Sequence, residues 1–309
     1  SAAYVAAAMV APLAESVVAE ASIVRMGQHA LARWPELIAP LPAPVYWQQN
    51  GTLIVWHRQD AGDAARLRGL FEHRQAEVAG LPAMQPLDAA GVAAADPALA
   101  GRFAQGLLLP GEGQIDNRQL FAALAQDMQR LGVAVHYDSP RELGDFRPGE
   151  AGQSDWLIDC RGLGAGQQWQ ALRGVRGEVV RIHAPEVTLA RPTRLVHPRY
   201  SIYVAPKENH VFVIGATEIE SDDRSGMSVR SALELLSAAH SLHPAFGEAR
   251  VLELNVQRRP TRPDHLPAIR VDQQARVVRV NGLYRHGWLI APAVTEAACH
   301  VVRAMLDGD

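Results

Sequence analysis

The sequence predicts an α/β chain assembled from discontinuous pieces, with an antiparallel sheet inserted between them. Three observations carry that prediction. Helical patterns alternate with short apolar strands towards both ends of the 309 residues. A strand-rich block lies between, and no repeat or low-complexity linker divides the chain. The length suffices for two domains of ordinary size or one large composite.

Each element has its own signal. Ser16 to Trp34 reads as a helix because Val17, Ile23, Val24, Met26 and Leu31 recur at roughly helical spacing. Asp116 or Asn117 caps a second helix carrying Leu120, Ala123, Leu124, Met128 and Leu131, which Gly132 ends. Val133 to Tyr137 and Trp156 to Cys160 read as short strands, the second running into the glycine-rich Arg161 to Gly166. Glu178 to His183, Ser201 to Ala205 and Val211 to Gly215 read as strands, the last two joined by a hairpin loop from Pro206 to His210. A helix from Ser228 to Ala239 follows, then strands at Val251 to Val256 and Arg276 to Val280. Pro292, favourable at a first helical position, is expected to open a terminal helix to Met305.

Composition excludes several classes. Hydrophobic residues at 48% and charged residues at 20% are those of a globular chain, not a disordered one. A net charge of -3 gives no basic footprint for nucleic acid. The longest apolar run read from the sequence, Ala2 to Ala14, is too short for a membrane span, contains Pro12, and lacks the basic flank of a signal peptide. Cys160 and Cys299 have no motif spacing, so they read as small buried residues in a reducing cytoplasm. His240 and His243 lack a third ligand at zinc-type spacing, so no metal is expected. The G-x-S-x-G elbow of serine hydrolases is absent.

Four constellations have chemical potential. Gly162-Leu163-Gly164-Ala165-Gly166 follows a strand, as a phosphate loop does, but its spacing is G-x-G-x-G and no acidic-ended second strand follows; a tight strand-to-helix turn is the commoner use. Arg258 to Asp264 places arginines on what reads as a proline-stiffened loop, suited to a bidentate carboxylate clamp or to ordinary surface ion pairs. Tyr203 sits on an alternating strand, as a core or edge aromatic would. Tyr284-Arg285-His286-Gly287 leads into a helix N-terminus that suits an anion or an electron-rich ring edge; His286 fits either an acid-base group or a structural histidine.

The order of several segments resembles the D-amino-acid oxidase family of flavoproteins, and within it the bacterial glycine oxidases linked to thiamine synthesis. Ser1 to Glu15, with Ala6-Ala7-Ala8-Met9-Val10-Ala11-Pro12, is similar to the family's small-residue loop against the flavin. Asp159 to Ala165 resembles its second approach to the cofactor, and Arg176-Gly177-Glu178 its crossover into the substrate domain. Tyr203 to Lys207 and Gly215 to Glu218 resemble paired strands over the ring. Arg259-Pro260 through Pro263-Asp264-His265-Leu266-Pro267 resembles the RP-x-x-PD-x-LP signature, and Gly282 through Pro292 the segment that closes the site. The resemblance runs almost end to end.

It implies an FAD-linked oxidase fold, with a Rossmann-like FAD domain over residues 1–44, 112–179 and 266–309 and a substrate domain over 45–111 and 180–265. It implies FAD and hydride transfer from a small amino acid such as glycine, giving an imine and hydrogen peroxide for the thiazole of thiamine. Arg259 becomes the carboxylate clamp, with Tyr203 and Arg285 beside it. Ala7, Ala8, Met9, Arg141, Gly162, Leu283, Tyr284, Arg285, His286, Gly287, Trp288 and Leu289 are expected at the cofactor. No dedicated catalytic acid or base is implied. The sequence leaves open a D-amino-acid or N-methyl-amino-acid oxidase or dehydrogenase, a cofactor-free remnant or subunit, and the oligomeric state, a homo-oligomer included.

Some positions depart from the family pattern. Leu283 stands where His is usual, Arg270 where Gly is usual, and Gln257-Arg258 where Gly-Leu is usual, which leaves the preferred substrate open. The family's opening strand, G-x-G-x-x-G turn, helix and acidic-ended strand, some ~30 to 45 residues, are not in this sequence, which begins at Ser1 rather than Met. The expectation is that FAD is not held, nor the fold stable, unless that unit is supplied as another segment or chain.

Overall fold

A computed structural model describes residues 1–150, 155–197 and 201–307. The chain opens with helix α1 (Ala2–Val5), strand β1 (Met9–Val10) and helices α2 (Pro12–Ser16) and α3 (Ala21–Ile38). Strands β2 (Trp47–Gln48) and β3 (Thr52–Trp56), helix α4 (Ala61–Glu77), strand β4 (Gln85–Asp88), helix α5 (Ala89–Ala95) and strands β5 (Gln105–Leu109) and β6 (Gly113–Ile115) follow. Helix α6 (Asn117–Arg130) and strand β7 (Leu157–Asp159) lead into β8 (Arg173–His183), β9 (Thr193–Val196), β10 (Ile202–Pro206) and β11 (Val211–Gly215). Then come helix α7 (Val229–Leu242), strands β12 (Arg250–Thr261), β13 (Ala268–Asp272) and β14 (Val277–Asn281), and helix α8 (Gly287–Asp307).

The strands form three sheets, ordered β1-β6-β2, β12-β8-β11-β10-β9-β3-β5-β4 and β13-β14-β7. The large sheet is antiparallel except where β3 runs parallel to β9. Its residues alternate between faces with period two. Val180, Ile182, Val204, Phe212 and Ile214 pack with Leu235, Ala239 and Leu242 of α7. Val179, Ala205 and Val213 point the other way and meet Ala7. The candidate site lies on this second face. The β13-β14-β7 sheet contributes Val278 and Val280 to a separate core with Ile23, Ala30 and Trp34 of α3 and Leu289, Ile290, Val294 and Ala298 of α8.

Several expectations hold. Asp116 caps α6 by accepting from Arg118 and Gln119 amides at 2.9 and 3.1 Å. Ser228 caps α7, and β10 and β11 form the expected hairpin. Others are corrected. The helix expected from Ser16 to Trp34 is interrupted between Ser16 and Ala21, where the chain turns. Residues 133–137 form no strand: among the described residues no neighbour supplies a ladder, and Val133, Val135 and Tyr137 are exposed. Arg258 to Thr261 lie on strand β12, not a loop, with Arg259 opposite Val175. Both cysteines are exposed, not buried.

Pro292 sits inside α8 rather than at its start. A proline there removes the N–H that would bond the Trp288 carbonyl. The Trp34 indole N–H takes that place, donating to the Trp288 oxygen at 3.1 Å. The helix therefore extends back to Gly287 and sets the position of the residues just before it. Residues 284–306 also outlast Ala2 to Ala14 as an apolar stretch, long and apolar enough by composition to cross a membrane. Here the helix packs Leu289, Ile290, Val294 and Ala298 against α3.

Candidate active site

The large cavity, about 440 Å³, opens on the sheet face away from α7. One wall is apolar, built by Val5 to Met9 with Val179, Trp288 and Leu289. The other end is polar, with Glu15, Arg194, Tyr203, Glu218, Arg259, Arg285 and His286.

The apolar wall is pinned from behind. Asn117 Nδ2 donates to the carbonyls of Ala3, Tyr4 and Ala6 at 2.7, 2.9 and 2.9 Å. Lys207 Nζ donates to Ala7 O at 2.8 Å, Ile115 O at 2.8 Å and Gln114 Oε1 at 3.1 Å. Lys207 is buried, and that burial pulls its pKa down to about 7. Three acceptors gathered at one amine favour its charged form, which offers three donors. Neither Asn117 nor Lys207 lines the cavity, so the loop's carbonyls are spent on the protein side.

The polar end depends on two glycines. A β-carbon on Gly177 would sit 2.4 Å from Arg259 Cζ, and one on Gly215 would sit 2.5 Å from the Tyr203 hydroxyl. Side chains at those points would occupy the space of the guanidinium and the phenol. Arg259 lies across β8 and donates to Arg176 O at 3.4 Å and Thr217 O at 3.1 Å. Among the described residues it has no carboxylate at ion-pair distance. Burial lowers its pKa, yet a guanidinium keeps its proton at any working pH. Neighbouring Arg176 points elsewhere, pairing with Glu178 at 2.6 Å and holding the carbonyls of Asp223, Ser225 and Gly226.

Arg285 is held differently. Its Nε lies 3.2 Å from Glu15 and its Nη1 2.5 Å from Glu218, whose other oxygen accepts from the Tyr284 hydroxyl. Those carboxylates, Glu15 first, raise the Arg285 pKa. Burial alone would raise the Glu15 carboxyl, but Arg285, Arg194 and His286 outweigh it and hold it well below the usual range. Arg194 binds the same carboxylate at 2.8 Å. Burial pushes His286 down to about 4, so its ring, 3.6 Å from Glu15, is neutral near pH 7. Burial also raises the Tyr203 phenol, which stays protonated.

The fold brings Ala7, Ala8, Met9, Tyr203, Arg259, Arg285, His286, Trp288 and Leu289 to one cavity. It does not bring Arg141, Gly162, Leu283, Tyr284 or Gly287 to its lining. Arg141 is exposed, and its carbonyl accepts from Arg161 at 3.3 Å. Gly162 packs by Pro260, and its carbonyl accepts from Asn281 at 2.9 Å. The glycine segment opens a tight helical turn, Gly162–Gln168, in which the Gly164 amide donates to Arg161 O at 3.0 Å and the Gly166 carbonyl accepts from the Trp169 amide at 3.3 Å. Tyr284 acts on the cavity through Glu218, and Leu283 packs in the α3–α8 core. His240 and His243 bond only nearby main chain, and the described residues hold no metal-ligand cluster.

Sequence reasoning missed Glu15, Arg194 and Glu218 as cavity charges and Asn117 and Lys207 as supports. Arg194 carried a signal: it is a lone cation on the apolar strand Thr193–Val196, paired across the sheet with Tyr203. Glu15, Lys207 and Glu218 lay in segments that the family resemblance placed near the cofactor, but their roles depend on partners far along the chain, as does that of Asn117.

The comparisons with known proteins agree on the fold. The FAD dependent oxidoreductase family (DAO) matches over residues 1–300. A putative thiamine biosynthesis oxidoreductase ThiO of Rhizobium etli is 40% identical over 302 residues, covering 96% of this chain and 83% of that protein. A glycine oxidase of Geobacillus kaustophilus is 28% identical over 218 residues, covering 64% of this chain and 56% of that protein. The crystal structure of a glycine oxidase from that organism superposes with a TM-score of 0.76 at 23% identity, over 96% of this chain and 83% of that one. An iminodiacetate oxidase from Chelativorans sp. BNC1 gives 0.77 at 21% identity, over 100% of this chain and 86% of that one.

Proposed function

The chain belongs to the FAD dependent oxidoreductase family, and from that membership we propose that it oxidises glycine or a similarly small amino acid for the thiazole part of thiamine. The names of its relatives, a thiamine biosynthesis oxidoreductase and a glycine oxidase, support the reading. The observation that carries it is Arg259: a half-buried guanidinium with no carboxylate at ion-pair distance among the described residues, beside a neutral phenol, at the polar end of a largely apolar slot.

The residues present suit the ring half of FAD. About 440 Å³ lies within the range of small-molecule and cofactor sites. The Ala6–Met9 wall offers a surface of small side chains with its carbonyls turned away. Ala7, Ala8, Met9, Trp288 and Leu289 would line the ring, and residues 1–44, 112–179 and 266–309 would make up the FAD-binding part. Residues 45–111 and 180–265 would hold the substrate. When bound, FAD supplies the hydride acceptor and the route of the electrons to oxygen.

The protein's part is orientation. Arg259 binds the substrate carboxylate through two parallel N–H donors, and the Tyr203 hydroxyl donates a further bond. Clamping the carboxylate places the amine carbon against the apolar wall. His286 is neutral near pH 7 and buried, and an amine that binds uncharged needs no dedicated base. A reducing cytoplasmic setting belongs to the same reading, since Cys160 and Cys299 are free and exposed.

Reconstitution with FAD and assay of peroxide release tests the proposal, comparing glycine and sarcosine with D-alanine and D-proline. Arg259→Ala is expected to raise KM steeply for every carboxylate substrate. Unchanged kinetics in that variant, or no turnover of any small amino acid by the flavin-loaded chain, would overturn it.

A further inference from the structure

Three guanidiniums line the cavity, Arg194, Arg259 and Arg285, against two carboxylates, Glu15 and Glu218. His286 and Tyr203 add no charge near neutral pH. Arg194 is paired with Glu15, and Arg285 is clasped by Glu15 on one side and Glu218 on the other. Among the described residues Arg259 bonds two main-chain carbonyls, which take up two of its five N–H donors and do not neutralise its charge. The cavity thus presents one unbalanced positive charge, at Arg259.

We propose that Glu218 is a specificity-determining residue: by occupying Arg285 it restricts the site to amines bearing one carboxylate and excludes amines bearing two. The inference rests on the reading of the site as one for small amino acids. A second substrate carboxylate reaching for Arg285 would meet Glu218 and Glu15, two like charges already paired with it. Glu218 is the adjustable member of the pair. Its side chain is 43% exposed at the cavity mouth, whereas that of Glu15 is 13% exposed and shared with Arg194 and His286. Glu218 follows β11, where the chain bonds back onto β8 through Thr217 N to Glu178 O at 3.2 Å and Ile219 N to Arg176 O at 2.9 Å, so its placement comes from the main chain.

Sarcosine and iminodiacetate form a matched pair of probes, the same secondary amine with one carboxylate and with two. Glu218→Gln keeps an oxygen for the Tyr284 hydroxyl and removes the charge on Arg285. The ratio of kcat/KM for iminodiacetate to that for sarcosine is expected to rise ~tenfold or more in Glu218→Gln and to stay at its original value in Glu218→Asp. Calorimetric titration of the same flavin-loaded proteins with malonate and with acetate gives a readout without turnover, and malonate should gain ~tenfold over acetate in Glu218→Gln alone. Unchanged ratios in Glu218→Gln, or the same gain in Glu218→Asp, would overturn the assignment. Should the unsubstituted protein oxidise no small amino acid, the functional reading falls, while the titration still decides the role of Glu218.

Discussion

Arg259 lies flat across Gly177, so close that a β-carbon there would come within 2.4 Å of its guanidinium carbon. The two residues lie on neighbouring strands, Arg259 on β12 two positions beyond Gln257, which pairs with Gly177 on β8. The direction of the Arg259 side chain, the proposed carboxylate clamp, is therefore set by an absent side chain. Gly177→Ala is expected to displace the guanidinium and raise KM for carboxylate substrates ~ten- to hundredfold, the value of a charge-assisted bond pair. Steady-state kinetics check this, with thermal unfolding to show that the sheet persists.

Tyr203 stands over Gly215 in the same way. Tyr203→Phe keeps the ring packing and removes one neutral hydrogen bond to substrate. The expected effect is a rise in KM of ~three- to tenfold. A loss confined to kcat would show that the hydroxyl acts in the chemical step instead.

Lys207 gathers Ala7, Ile115 and Gln114 behind the apolar wall. Lys207→Met matches the stem in length and leaves those oxygens without their donor. It should cost ~2 to 3 kcal/mol of stability, read as a lowered denaturant midpoint, and weaken flavin binding read by visible absorbance. Retained midpoint and flavin affinity would mean that the wall holds itself.

Glu112 should make stability pH-dependent. It is buried, accepts from the Ala14 amide at 2.7 Å, and its other oxygen has no hydrogen-bond partner. Burial pushes its pKa up to about 7 from 4.5. The folded state therefore binds more protons than the unfolded state between those values. Its contribution is fully present below about 4.5 and is lost as pH rises through about 7. Glu112→Gln should remove this and stabilise the protein at pH ~8 relative to pH ~5 by on the order of 3 kcal/mol against the parent. Thermal unfolding of both proteins at the two pH values measures the difference, and parallel pH profiles would contradict it.

Trp34→Phe should leave the Trp288 carbonyl without a donor, because Pro292 cannot supply one. The expected cost is ~1 kcal/mol, seen as a lower unfolding midpoint. No change would mean that water or a helical shift satisfies that oxygen.

Features that depend on neighbours along the chain were legible in the sequence. Ser228 and Asp116 each capped the helix expected of them, because a cap is a bond to an amide two or three residues on. The alternation at β10 and β11 placed Tyr203, and ordered motifs placed Arg259 and Ala7 to Met9 at one site. Tertiary structure decided the rest. Residues 133–137 have strand-forming side chains, yet a strand needs a partner that no local pattern supplies. Arg285 and Arg259 read alike as cavity arginines, but one is neutralised by Glu15 and Glu218, far away in sequence, and the other is left charged. The charge balance of the cavity is a property of five side chains from separate elements, and Coulomb's law acts on their distances in space, which spacing along the chain does not contain.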